Sequence, residues 1–234
     1  MPDNTVSIQT PLPATPIIDK AAHTRFETLL QESRFYLEYG SGGSTVFAAN
    51  VVQVPKILAI ESDPKWAIRV KETCLRNEES GVEVDWVNIG PTTKWGFPLN
   101  LEKNLHLFPP YSQWPWLRNQ KEVTPLIREN EAGPIIDVDE TSEKSNSFFE
   151  HMLPDLILID GRFRPACFIQ CLLHVKPGTR ILFDDYVDRP NYHLVEEFAK
   201  PIAYYGNLAE FCVPELNSVS ELKRVFETLQ YHAF

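Results

Sequence analysis

Five acidic residues each stand at the end of an apolar stretch, and they are the groups best suited to chemistry. They are Glu38, Glu61, Asp160, Asp184 and Asp185. The apolar stretches are typical of buried parallel strands, and ligands of open α/β sheets bind beyond the carboxyl ends of such strands. At about 4 Å and an effective dielectric constant near 20, each pair of like charges costs on the order of 4 kcal/mol. The repulsion between these carboxylates must therefore be offset by Arg162, Arg164, a divalent cation, a ligand ammonium group or protonation.

A glycine-rich turn follows the first of these stretches. Residues 35–39 are apolar or aromatic apart from Glu38, Gly40-Ser41-Gly42-Gly43 comes next, and Ser44 begins a predicted helix. A strand, a glycine turn and a helix N-terminus form a cradle for nucleotide-type ligands. The third glycine of the dinucleotide pattern would fall at Thr45 and is absent. Glu38 would repel a pyrophosphate and attract an ammonium group, so we expect it to contact the ligand.

The second strand also ends in an acid. Glu61 closes the apolar run that begins at Lys56, about where a carboxylate reaches a ribose in such folds. A charged hydrogen bond to a ribose hydroxyl is worth roughly 1.5–3 kcal/mol. We therefore expect Glu61, with Ser62 beside it, to bind the ligand. The alternative is that Glu61 and Asp63 only cap the helix that starts at Pro64.

The third predicted strand, residues 82–87, leads into Asn88 and Ile89. These two residues occupy the place where the adenine edge of a cofactor is usually met. A plain exit from strand to loop is an equally good interpretation.

Together these features resemble the class I S-adenosylmethionine-dependent methyltransferases. The resemblance rests on E-x-G-x-G at 38–42, on Glu61 after strand two and on Asp160 after strand four, and it covers about residues 35–213 outside an insertion. It implies a Rossmann-like α/β fold with a seven-stranded, mostly parallel sheet. It also implies methyl transfer from S-adenosylmethionine to a small-molecule acceptor, at oxygen. The implied cofactor-binding residues are Glu38, Gly40, Ser41, Gly42, Gly43, Ser44, Glu61, Ser62, Asn88, Ile89 and Asp160.

Metal-assisted small-molecule O-methyltransferases of this fold hold magnesium with acids after strands four and five. Asp160, Asp184 and Asp185 match those places, and oxygen ligands favour Mg²⁺ or Ca²⁺ over zinc. The catechol-type pattern has aspartate and then asparagine after strand five, whereas both residues here are aspartate. A metal-free site, in which Asp160 contacts the cofactor or the substrate, is the alternative.

His193 is the candidate general base, because it follows the Asp184-Asp185 pair closely and an imidazole titrates in the useful range. The alternative is a histidine that caps a helix or lies on the surface. Tyr186 and Tyr192 are candidates for lining the substrate pocket.

Length and charge limit the possible classes of function. The chain has 234 residues and a formal net charge of -10, which argues against a nucleic-acid partner. No apolar run of about 18 residues and no basic secretory signal is present, so we expect no membrane partner and a cytoplasmic location.

The chain divides into an extended or disordered segment, residues 1–18, and one domain, residues 19–234. Within that domain, residues 91–150 carry prolines and tryptophans and are longer than an ordinary crossover. We expect this insertion to form a lid over the carboxyl edge of the sheet, with Tyr111, Trp114 and Trp116 as a core of its own in the alternative interpretation. The insertion could alternatively form a contact between copies of the chain in a homo-oligomer.

Two other classes of function remain. An NAD-dependent oxidoreductase could use the same kind of sheet, although Glu38 and the missing third glycine count against it. A non-catalytic binding protein could retain the fold without turnover.

Overall fold

The computed structural model describes residues 12–74, 81–118, 152–216 and 218–233. Seven strands form one sheet in the order β3-β2-β1-β4-β5-β7-β6. The first five are parallel, while β7 is antiparallel to both β5 and β6. This confirms the Rossmann-like, mostly parallel seven-stranded fold. The strands are β1 Phe35–Tyr39, β2 Lys56–Glu61, β3 Val82–Trp86, β4 Leu156–Ile159, β5 Arg180–Phe183, β6 Pro201–Tyr205 and β7 Leu208–Cys212.

Helices cover both faces of the sheet, which explains why the central strands are continuous apolar runs rather than alternating ones. The helices are α1 Lys20–Glu32, α2 Gly43–Phe47, α3 Pro64–Cys74, α4 Leu101–Asn104, α5 Pro109–Leu117, α6 Arg164–His174 and α7 Val219–Leu229. One hydrophobic cluster packs α1, α2 and α3 against one face, and a second packs α5, α6 and α7 against the other. Across the described ranges, none of these helices is both long enough and apolar enough to span a membrane.

Residues Pro190–Glu197 form a 3₁₀-helix after β5. A hairpin that turns at Gly206 places β6 at the edge of the sheet beside β7.

The described part of the predicted insertion differs from the expectation of a lid. Residues 109–117 form α5, which lies between β3 and β4 along the chain. Phe108 and Tyr111 are buried in the main core, and the indole N–H of Trp114 donates to Asp85 Oδ2 on β3 at 2.6 Å. These aromatic residues therefore do not form a core of their own. The prolines misled the sequence interpretation, because Pro109 and Pro110 lie in the first turn, where proline is tolerated. The lid stays a prediction for residues 119–150, which lie outside the described residues.

Candidate active site at the carboxyl edge of the sheet

The site lies where β1 and β4 are neighbours and the chain continues to opposite sides of the sheet. Such a switch point opens a crevice at the carboxyl edge of a doubly wound sheet. Gly40 follows β1 with a φ of 91° and Gly161 follows β4 after Asp160. A Cβ on Gly40 would lie 2.8 Å from both Cα and N of Gly161, so the two backbones touch. The glycine turn thus brings the ends of β1 and β4 together.

This contact predicts that Gly40→Ala is costly. The new Cβ would meet rigid backbone as well as a left-handed conformation, so we expect a loss of about 2–4 kcal/mol in the free energy of unfolding. Gly178→Ala is a matched control, because Gly178 has a φ of 90° but a Cβ added there would have no neighbour within 4 Å. Urea unfolding of both variants separates the cost of the clash with Gly161 from the cost of the left-handed backbone. An equal loss of unfolding free energy in the two variants would show that the close Gly40–Gly161 contact adds nothing to the cost of the substitution.

Glu61 lies between the glycine turn and the start of α3, and its side chain is almost fully buried. Its Oε2 accepts hydrogen bonds from Ser41 N at 3.0 Å and Ser41 Oγ at 2.8 Å. Its Oε1 accepts from Ser62 N at 2.7 Å, Asp63 N at 2.9 Å and Ser62 Oγ at 3.2 Å. Burial raises the pKa of Glu61, although these hydrogen bonds oppose the rise. One serine hydroxyl therefore lies on each carboxylate oxygen.

That arrangement matches the needs of a ribose, whose two vicinal hydroxyls can replace the two serine hydroxyls without leaving the carboxylate unsatisfied. The turn itself is held from the other side, because the Trp66 indole N–H donates to the Ser41 carbonyl oxygen at 2.7 Å. Glu61 therefore holds the two residues just before α3, rather than capping the first turn of that helix as the alternative interpretation held. Asp63 caps α3 as expected, since Trp66 N donates to Asp63 Oδ1 at 2.9 Å.

A tight loop after β3 covers Glu61 and Ser62. It was not predicted from the sequence. Thr92 and Pro98 pair as an isolated bridge, and the Gly96 carbonyl oxygen accepts from Ser62 Oγ at 3.2 Å. A Cβ on Gly96 would clash with that serine hydroxyl. Trp95 has a φ of 64° and is 71% exposed beside the loop. Gly96 was the only signal in the sequence that the backbone approaches another segment here.

Glu38 differs from its predicted role. The carboxylate lies beneath the glycine turn and is 1% exposed, so it does not face the crevice in this structure. It accepts hydrogen bonds from the hydroxyls of Ser44 and Thr45, the latter at 2.7 Å, and Thr45 Oγ1 in turn accepts from Gly42 N at 3.0 Å. Burial raises the pKa of Glu38 to about 8. Glu38 therefore fixes the first turn of α2 under the glycines rather than presenting a charge to an ammonium group.

The two residues predicted to meet the adenine edge, Asn88 and Ile89, differ in their exposure. Ile89 is fully buried in the core, so its side chain is not presented to the crevice as predicted. Asn88 is half-buried, and its Oδ1 accepts from Gly90 N at 2.9 Å. A cofactor contact by Asn88 stays a prediction.

Asp160, Asp184 and Asp185 are brought together as predicted, and one carboxylate oxygen from each lies within 4.8 Å of the others. Arg164 lies among them, with Nη2 at 3.0 Å from Asp160 Oδ1 and Nη1 at 3.2 Å from Asp185 Oδ2. Arg189 Nη2 lies 2.8 Å from the same Asp185 oxygen. Burial and the neighbouring Asp160 raise the pKa of Asp184 to about 7, and burial also raises the pKa of Asp160. Two guanidinium groups thus offset part of the negative charge of the cluster.

The three ring residues that follow β5 are not arranged as an open pocket. His193 Nε2 lies 3.0 Å from the Tyr186 carbonyl oxygen, and its ring stacks on the Tyr186 ring at 4.7 Å between centroids. Tyr186 and Tyr192 are buried in the core, so they do not line an exposed pocket as predicted. Because a carbonyl oxygen only accepts hydrogen bonds, Nε2 is the donor in this contact. A role of His193 as general base stays a prediction.

Tyr111 is a residue at the crevice that sequence reasoning did not place there. Its hydroxyl donates to the Ile60 carbonyl oxygen at 3.3 Å and accepts from Arg162 N at 3.4 Å, directly beside Gly161. It thereby joins β2 to the turn after β4. Its position in a segment interpreted as an insertion concealed this role.

Comparisons with known proteins place this geometry in context. No protein-family model and no curated protein matches the chain. A methyltransferase-like protein from Silicibacter pomeroyi, solved by crystallography, is 29% identical with a TM-score of 0.68, and the alignment covers 93% of this chain and 98% of that one. An O-methyltransferase from Bacillus cereus, solved with S-adenosylhomocysteine, is 18% identical with a TM-score of 0.45, covering 86% and 84%. Of these two similarities, only the first bears on the family of this chain.

The strand order, the glycine turn at the switch point, the acid at the end of β2 and this similarity agree with one another. By its fold, the chain is a member of the class I S-adenosylmethionine-dependent methyltransferase superfamily.

Proposed function

We propose that the chain transfers a methyl group from S-adenosylmethionine to an oxygen atom of a small-molecule acceptor. The observation that carries the proposal is Glu61, a buried carboxylate at the end of β2 with one serine hydroxyl on each oxygen. This is the donor pattern that a ribose diol would reproduce. The neighbouring glycine turn, Gly40 to Ser44, lies at the switch point and suits the amino-acid end of the same cofactor.

S-adenosylmethionine supplies an activated methyl group when it is bound, and the residues of the chain bind, orient and exclude water. Glu61 would hold the ribose while the backbone N–H of Ser41 keeps its carboxylate in place, and Glu38 keeps α2 and the glycine turn in place beneath it. Asp160 follows β4 and directly precedes Gly161, so its backbone lies against Gly40 of the glycine turn. We propose Asp160 for orienting the acceptor hydroxyl and Nδ1 of His193 for taking its proton.

An NAD-dependent oxidoreductase is the competing function on this kind of sheet. The dinucleotide fold continues its parallel strands in the order 3-2-1-4-5-6. Here β5 is followed in the sheet by the antiparallel strand β7, and Thr45 replaces the third glycine. Both features favour the methyltransferase.

The test is methyl transfer from methyl-labelled S-adenosylmethionine to a panel of phenols, alcohols, carboxylic acids and amines. We expect label to enter an ether or an ester, and hydrolysis in base separates the two because only the ester releases its label. Label found only in amine products would contradict transfer to oxygen. Binding of S-adenosylhomocysteine without transfer to any acceptor would favour a binding protein that retains the fold.

A further inference from the structure

Arg164 provides the acid cluster of Asp160, Asp184 and Asp185 with a cation that belongs to the chain. It is the first residue of α6 and is almost fully buried. Its Nε donates to the Gly161 carbonyl oxygen at 3.0 Å, and its Nη1 donates to the Asp184 carbonyl oxygen at 2.6 Å and faces Asp185 Oδ2 at 3.2 Å. Its Nη2 donates to the carbonyl oxygen and Oδ1 of Asp160 at 2.9 and 3.0 Å.

Four of these five oxygens accept hydrogen bonds from the guanidinium group, and the fifth, Asp185 Oδ2, forms an ion pair with it. They come from the ends of both β4 and β5, so a single side chain ties the two strand ends together. Three backbone carbonyl oxygens and two carboxylates that converge in this way also form the kind of oxygen shell that hard cations prefer. Arg164 fills that shell.

A resident divalent cation does not fit these residues. Mg²⁺ requires near-octahedral geometry at about 2.0–2.1 Å. Arg164 already holds one carboxylate oxygen each of Asp160 and Asp185, and the charge of a metal ion would lie beside the buried guanidinium. Asp185 Oδ2 is further occupied by Arg189 Nη2 at 2.8 Å.

We propose that Arg164 takes the place that a divalent metal ion would have at this edge of the sheet, and that the cluster binds no metal. The acceptor is then positioned without chelation, so it does not need two adjacent oxygen atoms. The proposal about Arg164 stands on the ion pairs alone and does not depend on methyl transfer.

The experiment is calorimetric titration of the whole chain with Mg²⁺ and with Ca²⁺, without cofactor. Three proteins are compared: the unchanged protein, Asp184→Asn and Arg164→Gln. We expect the unchanged protein and Asp184→Asn to give the same signal, because the cluster is closed to metal in both. We expect Arg164→Gln to bind Ca²⁺ about tenfold or more tightly than the unchanged protein, since removal of the guanidinium frees its oxygen ligands. Its melting temperature should then rise with millimolar Ca²⁺.

Tighter metal binding by the unchanged protein than by Asp184→Asn would overturn the proposal, as would a folded Arg164→Gln protein that gains no affinity for Ca²⁺. If Arg164→Gln does not fold, the comparison of the unchanged protein with Asp184→Asn decides alone. Neither comparison measures methyl transfer, so failure of this proposal is distinguishable from failure of the proposed function.

Discussion

Glu38→Gln should remove a large part of a loss of stability that the protein shows as the pH rises from about 5 to about 8. The Glu38 carboxyl group is fully buried, and burial raises its pKa from 4.5 to about 8. Below pH 4.5 the group is protonated in both the folded and the unfolded chain. Between the two pKa values only the unfolded chain loses the proton, and this deprotonation stabilises the unfolded state relative to the folded one. Stability therefore falls with rising pH across this window and levels off above it.

The size of the effect follows from the shift in pKa. Each unit is worth about 1.4 kcal/mol, so the Glu38 share between pH 5 and pH 8 is on the order of 4 kcal/mol. Urea unfolding of the native protein and of Glu38→Gln at pH 5, 6, 7 and 8 measures it as the difference between the two slopes. Asp184 remains in both proteins, and its raised pKa contributes a slope of the same sign to each. Parallel slopes would show that Glu38 is already ionised in the fold.

Glu61→Gln should weaken the binding of S-adenosylhomocysteine by about 100-fold, whereas Ser41→Ala and Ser62→Ala should each change it by less than about threefold. Charged hydrogen bonds contribute about 1.5–3 kcal/mol each, and the amide retains only one good acceptor for two ribose hydroxyls. In the ribose assignment, the two serine hydroxyls leave the carboxylate when the ribose binds. Their loss therefore removes no contact from the complex.

Calorimetric titration of the three variants with S-adenosylhomocysteine gives their affinities, and a melting curve without ligand checks that each variant is folded. A loss in Ser41→Ala as large as that in Glu61→Gln would mean that the serine hydroxyl itself contacts the ligand. The ribose assignment would then be wrong.

The fold was predictable because its strands are buried on both faces, which makes each one a continuous apolar run that ends where the chain reaches water. Leu156–Ile159 and Lys56–Glu61 are of this kind, and the acids that follow them mark the carboxyl edge. The turn at Gly40 was predictable for a related reason, since a left-handed backbone in contact with another strand end requires glycine.

The direction of side chains at that edge was not predictable from local patterns. Glu38 lies two residues before the turn, and only the register of β1 decides that its carboxylate faces α2 rather than the crevice. Tyr111 and Phe108 were assigned to an insertion because prolines interrupt their segment, yet long-range packing makes them part of the main core. The guanidinium of Arg164 likewise reaches Asp184 and Asp185 across about twenty residues of chain, a separation on which periodicity carries no information.

Titration of the purified chain with S-adenosylhomocysteine and with NADH tests most directly whether the carboxyl edge of the sheet binds S-adenosylmethionine. We expect saturable binding of S-adenosylhomocysteine at one site per chain, with no competition from NADH. Binding of NADH with no binding of S-adenosylhomocysteine would contradict this function and would assign the crevice at Gly40 and Glu61 to a dinucleotide.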